Sequence, residues 1–180
     1  RNFKEACNDA GVNPEEVANQ INELTAESNA SLNFNHWPLD VLADYIFKEH
    51  HQYIEQVTPV IKNLLVKICH VHGDRHPELM EIQEIFNKSS GELAVHMKKE
   101  ELILFPFIKK MVHAKANGPT ASSHLFNTVS GPIHRMNEDH LDEGEMLARM
   151  AKLSDNFTAP VDACITYQAT YQLLREYQRD

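Results

Sequence analysis

The chain has 180 residues, 42 % of them apolar and 24 % charged, and 17 basic against 26 acidic side chains leave a net charge of −9. That length supports one full domain with a small appendage and excludes a two-domain enzyme of the dehydrogenase or hydrolase kind. No run approaches the ~20 apolar residues of a membrane helix, no apolar stretch follows the start RNFKEACNDAG as a signal peptide needs, and the acidic balance argues against nucleic acid or an anionic membrane as the main partner.

The predicted elements are all helical. Asn13, Pro14 and Glu16 read as the cap, first turn and capping-box partner of a short helix running to about Ser28. The polar stretch 29–37 reads as a linker. Trp37-Pro38 opens a long amphipathic pattern through Leu39, Leu42, Ile46, Ile54, Val57, Ile61, Leu65 and Ile68, which Pro59 should bend and His72-Gly73 should end. Pro77 opens a second helix through Leu79, Ile82, Phe86, Leu93, Met97 and Leu102, kinked by Pro106 and fading near Val112. Residues 113–131 read as a loop, long for a bundle. Gly131-Pro132 opens a third helix that stops near Ser154, and 154–159 reads as a turn. Pro160 should open the fourth helix, through Val161, Cys164, Ile165, Tyr167, Tyr171, Leu174 and Tyr177. No strand alternation is seen. The fold class is therefore all-α: an antiparallel four-helix bundle preceded by a short N-terminal helical segment.

Three cysteines, Cys7, Cys69 and Cys164, are spread without a CxxC pair, which suits free thiols in a reducing compartment. Cys69 and Cys164 fall in helical patterns and are expected in the core; Cys7 is expected to be more exposed.

Histidine is the unusual count, at 11 residues. His96 and Glu100 are four apart and share one helical face. In an antiparallel pair, residues equally far from the connection face each other. His96 lies nineteen residues past Pro77, and nineteen residues back from His70 is His51. His72 is 21 residues further along, about 30 Å of helix, and belongs at the far end of the bundle as a helix-end residue. On the third helix, His140 lies deeper than His134, and Leu141 supplies an apolar neighbour. Glu143 shares its face and could orient the ring. His36, His50, His70, His76, His113 and His124 read as surface residues. Imidazoles and a carboxylate on three helices at one level suit iron. No glutamate stands three residues before any histidine, which disfavours a ferritin-like di-iron motif, and HExxH is absent.

The run HMKKEELILFP (96–106) resembles the HxxxEE…LFP segment of hemerythrin-like domains. With FKEHHQYIEQVTP (47–59), HGDRHPEL (72–79), GPIHRMNEDHLDEGEML (131–147) and PVDACITY (160–167), the chain resembles the repair-of-iron-centres family, the ScdA-like iron–sulfur cluster repair di-iron proteins. The stretch 3–21 looks like the end of that family's small N-terminal domain. The resemblance implies a remnant of that domain over 1–28, a linker over 29–37 and a hemerythrin-like four-helix bundle over 38–180. It implies metal ligands at His51, His96, Glu100 and His140, holding two non-haem iron ions with oxo and carboxylate bridges, Glu100 being one bridge. The family's fourth helix carries a second HxxxE pair, and its N-terminal domain a paired-cysteine motif. The chain is expected to be truncated at both ends, before the first and after the second of these, which leaves four of the family's six ligands, with substitution by Glu176 on the fourth helix weighed and not favoured.

The function implied is repair of iron–sulfur clusters damaged by oxidative or nitrosative stress, with iron donation as one route. Damaged iron–sulfur proteins would be the clients, in the cytoplasm, with no nucleic acid, no membrane and a homodimer as one open assembly. The alternatives are reversible binding or sensing of oxygen or nitric oxide, and reduction of nitric oxide. A conventional enzyme is not expected.

Overall fold

The computed structural model describes residues 11–13, 16–17, 34–116 and 130–180. Most of the expected first helix, Cys7, His124 and residues 117–129 of the expected loop lie outside them. Contacts divide the chain into two compact units, Arg1–Trp37 and Pro38–Asp180. In the first, Glu16 and Val17 are helical, the Val17 N–H donates to the Asn13 carbonyl at 3.1 Å, and Phe34 packs edge-on against Trp37 at 5.2 Å.

The second unit is built from four helical rods. The first comprises α1 (Leu39–Tyr45), a wide π-turn segment π1 (Ile46–His51) and α2 (Gln52–His72). The second comprises α3 (Glu78–Lys99), π2 (Glu100–Leu104) and α4 (Phe105–Ala116). The third is α5 (Ser130–Leu153) and the fourth α6 (Ile165–Arg179). Among the described residues there is no strand. α3 packs against α2 and α5, α2 against α6, and α1 against α4.

The expected periodicity forms the core. Ile54, Val57, Ile61, Leu65 and Ile68 line one stripe of α2 and meet Leu79, Ile82 and Phe86 of α3, Met150 of α5, and Tyr167, Tyr171, Leu174 and Tyr177 of α6. Burial of such a stripe, at about 1.5–3 kcal/mol per large apolar side chain, holds the rods together more than helix propensity does.

Several boundaries differ from expectation. α2 runs through Pro59 without interruption, and the irregularity lies upstream, in π1. On the second rod, π2 ends two residues before Pro106. Proline has no N–H and its ring crowds the carbonyl four residues back, so a widened turn relieves both problems. The second rod continues to Ala116, beyond Val112. The fourth helix begins at Ile165 rather than Pro160. The Ala163 N–H closes a turn onto the Pro160 carbonyl, and Cys164 becomes the N-cap with an extended ψ of 169°. Val161, Ile165 and Cys164 are consequently exposed, not core residues. Leu102 and Leu141, expected on buried faces, are also exposed, at 74 % and 70 %. Cys69 is buried as expected, its thiol donating to the Leu79 carbonyl at 3.3 Å. Among the described residues no helix is long and apolar enough to cross a membrane.

Candidate metal centre

The two π-turn segments meet at the same level of the bundle. His51 is the last residue of π1 and Glu100 the first of π2. An extra residue in a helical turn rotates the following side chains relative to a regular helix, and such turns recur at functional sites. His51, His96 and Glu100 are all buried.

Glu100 lies between the two rings. Its Oε2 is 3.1 Å from His51 Nε2, and its Oε1 is 3.5 Å from His96 Nε2. The second contact is close enough for attraction but is not aligned as a hydrogen bond, so His96 Nε2 is a buried nitrogen without a hydrogen-bond partner among the described residues. His140 of α5 stands edge-on to His96, with ring centroids 4.5 Å apart. One donor atom from each of His96, Glu100 and His140 falls within 4.8 Å of the others. A 310 Å³ cavity is lined by His51, His96, Glu100, His140, Glu143 and Asp180, among others. His140 itself is exposed rather than deep, so the site opens to solvent along the α3–α5 side.

The His51 and His96 rings are held from behind. His51 Nδ1 lies 3.1 Å from Glu101 Oε1, and the ring stacks on buried Phe105 at 5.5 Å. His96 Nδ1 lies 3.2 Å from Asp139 Oδ2, which also accepts from Lys99 Nζ at 3.0 Å. Lys98 Nζ donates to Glu101 at 2.6 Å and Glu55 at 2.8 Å. Carboxylates on Nδ1 hold the N–H there, so that when a cation displaces the proton that Nε2 shares with Glu100, Nε2 is the nitrogen left free to ligate it.

The charges follow from this packing. Burial acts to raise the Glu100 carboxyl, but His51 and His96 beside it win and lower it to about 2. Burial acts to lower the His51 imidazole, and Glu100 and Glu101 more than offset it, so it ends above its ordinary value. The Glu100 carboxylate raises His96 more than burial lowers it, and Asp139 adds to the rise. The centre is a fixed anion between two rings that hold a proton strongly, an arrangement equally suited to a cation.

Of the four residues expected to meet, the structure brings His96, Glu100 and His140 into one donor set and places His51 on the other oxygen of Glu100. His72 lies at the opposite end of α2. His134 is exposed and pairs with Glu138. Glu143 does not orient His140; it accepts from Ser89 Oγ at 2.5 Å. Glu176 does not reach the site, since it accepts from Gln172 and lines a separate groove. Two histidines expected at the surface are engaged instead. His50 pairs with Asp180 at 3.1 Å beside the cavity, and His76 is bonded on both ring nitrogens. Glu101 and Asp139 were not foreseen as partners of the rings. The adjacent acids in Glu100-Glu101 and Asp139-His140 were the available signal.

The hemerythrin HHE cation binding domain matches residues 42–180. The chain is similar to the iron-sulfur cluster repair protein ScdA of Staphylococcus haemolyticus, 24 % identical over 99 % of this chain and 76 % of that one. It is similar to the iron-sulfur cluster repair protein YtfE of Yersinia pseudotuberculosis, 28 % identical over 97 % and 73 % of the two chains. With the YtfE of Edwardsiella ictaluri the identity is 31 %, over 91 % and 68 %. The match spans every rod that contributes to the site, and the paired imidazoles and carboxylate are the donors a cation-binding bundle requires: the chain belongs to the hemerythrin HHE cation-binding family.

Proposed function

We propose that the chain is a non-haem di-iron protein that repairs damaged iron–sulfur clusters. The observation that carries this reading is the split carboxylate. Glu100 turns one oxygen to His51 and the other toward His96 and His140, so its two oxygens serve two separate donor groups. His51 would hold one iron, His96 and His140 the other, and Glu100 would bridge them. Neutral imidazole and carboxylate are good iron ligands, and the buried, unbonded His96 Nε2 fits one. The pair of irons would supply a redox-active metal store. The protein's own part is to orient the rings through Glu101 and Asp139, to keep Glu100 anionic, and to leave the His140 side open for exchange. The names of the similar ScdA and YtfE proteins support damaged iron–sulfur proteins as clients.

Elemental analysis of the chain loaded with ferrous iron without oxygen, then oxidised, tests the site. About two irons per chain are expected, with a near-ultraviolet charge-transfer band. His96→Ala and Glu100→Ala should lose most of the iron, and His72→Ala should keep it. One iron or none at saturation overturns the pair. The loaded chain should also restore activity to an iron–sulfur dehydratase inactivated by peroxide; two bound irons without recovery would overturn repair.

A further inference from the structure

The far end of the bundle holds polar groups that metal binding does not use. His72 closes α2 and is only 3 % exposed. Its Nε2 lies 3.2 Å from Cys164 Sγ, and its ring stands edge-on to Tyr167 at 5.3 Å. Its Nδ1 is buried and has no hydrogen-bond partner among the described residues. Leaving such an atom unsatisfied costs stability, and an apolar residue of similar size would pack there without that cost. Cys164 is exposed, caps the 15-residue helix α6, and makes no side-chain bond to that helix. The surrounding charges satisfy one another. Asp162 pairs with Arg75 at 2.7 Å and with His76 at 3.0 Å, and His76 pairs with Glu78 at 2.9 Å. His72 is therefore the group left to act on the thiol. The other described cysteine differs in every respect: Cys69 is buried, its thiol is committed to a carbonyl, and burial pushes it toward the neutral form.

We propose that Cys164 and His72 form a thiol–imidazole pair that reacts with hydroperoxides, with Cys164 the site of oxidation to a sulfenic acid. His72 Nε2 takes the thiol proton, so that the thiolate is the attacking species. The sulfur attacks one peroxide oxygen. The S–O bond forms, the O–O bond breaks, and the departing oxygen takes the proton back from the His72 imidazolium. Sulfur loses two electrons, and the peroxide is reduced to water or an alcohol. Hydroxide and alkoxide leave poorly without a proton, so an acid touching the sulfur selects for this class of oxidant. The inference does not depend on iron.

The full chain is exposed to hydrogen peroxide with dimedone as the sulfenic acid trap, and adducts are counted per cysteine by peptide mass spectrometry. The rate of iodoacetamide alkylation is followed in parallel, because it does not involve the metal. In the folded chain Cys164 should react with both reagents on the order of tenfold faster than in the chain unfolded in urea. His72→Asn should remove most of that excess while leaving the iron content unchanged. Equal rates in folded and unfolded chains overturn the proposal, as does a folded His72→Asn variant that keeps the fast rate. If that variant fails to fold by circular dichroism, the comparison of folded and unfolded unaltered chain decides alone.

Discussion

A histidine ring that can turn presents its lone pair in many directions, and ordering it costs part of the metal affinity. Glu101 and Asp139 remove that freedom from His51 and His96 through Nδ1. Glu101→Gln and Asp139→Asn are each expected to weaken iron binding about 10–100-fold without abolishing it. Chelator competition measures this, and unchanged affinity in both would show that packing alone orients the rings. The same geometry sets a pH dependence. His51 and His96 both lie above the ordinary imidazole value of 6.5, so iron must displace protons from them below and somewhat above that pH. Glu100, at about 2, stays anionic and adds no dependence. Iron affinity should rise from about pH 6 to about pH 8. Fold stability after chelation should run the other way. A group raised in the folded state contributes fully below its unfolded value and loses that contribution as pH rises through its folded value. Affinity and metal-free stability moving in the same direction with pH would contradict this account of the rings.

Helices place these residues, and their irregular turns do so most. The spacing of His51, His96 and Glu100 was legible in the sequence because a level in an antiparallel pair is simple counting from the connection. The π-turns at 46–51 and 100–104 were not, because one extra residue in a turn leaves the apolar spacing nearly unchanged. Pro106 offered a hint for the second, and no residue type marks the first. The start of α6 differs from the sequence pattern for a related reason. Pro160 can open a helix or a turn, and only the Ala163–Pro160 hydrogen bond shows which. The buried face of α5 is also narrower than its apolar residues suggest, since Leu141 points to solvent. Two connections carry local tests of stability. Gly73 follows α2, and a Cβ there would sit 2.3 Å from the Cys69 carbonyl oxygen, so Gly73→Ala should cost about 1–3 kcal/mol by urea unfolding. After α5, Asp155, Asn156 and Phe157 all have left-handed φ, at 48°, 55° and 55°. Asp155 is exposed and its side chain is not needed for the turn, so Asp155→Gly should stabilise by about 0.5 kcal/mol. Destabilisation there would mean that the loss of the side chain outweighs the relief of backbone strain.

In the second unit as a whole, the candidate metal centre sits at one end of α2 and the His72–Cys164 pair at the other, with Ile61, Leu65, Phe86, Met150 and Leu174 packed between. Sites this far apart with no shared partner should act additively. The core and the metal should both stabilise the fold, by separable routes. Leu65 is fully buried, so Leu65→Ala should cost about 2–5 kcal/mol through transfer and cavity terms. It should leave iron stoichiometry intact, because the ligands lie on other turns. Iron, binding only the folded chain, should stabilise by about 2.7 kcal/mol at a hundredfold excess over its dissociation constant. That corresponds to a melting shift of several degrees in a unit of this size. Chelation should therefore lower Tm by the same amount in the unaltered chain and in Leu65→Ala, should change nothing in Glu100→Ala, and should be unaffected by Cys164→Ser. A chelator effect that grew or vanished in Leu65→Ala would show that the core transmits between the two ends, and the bundle would then have to be treated as one coupled device rather than two sites on a common frame.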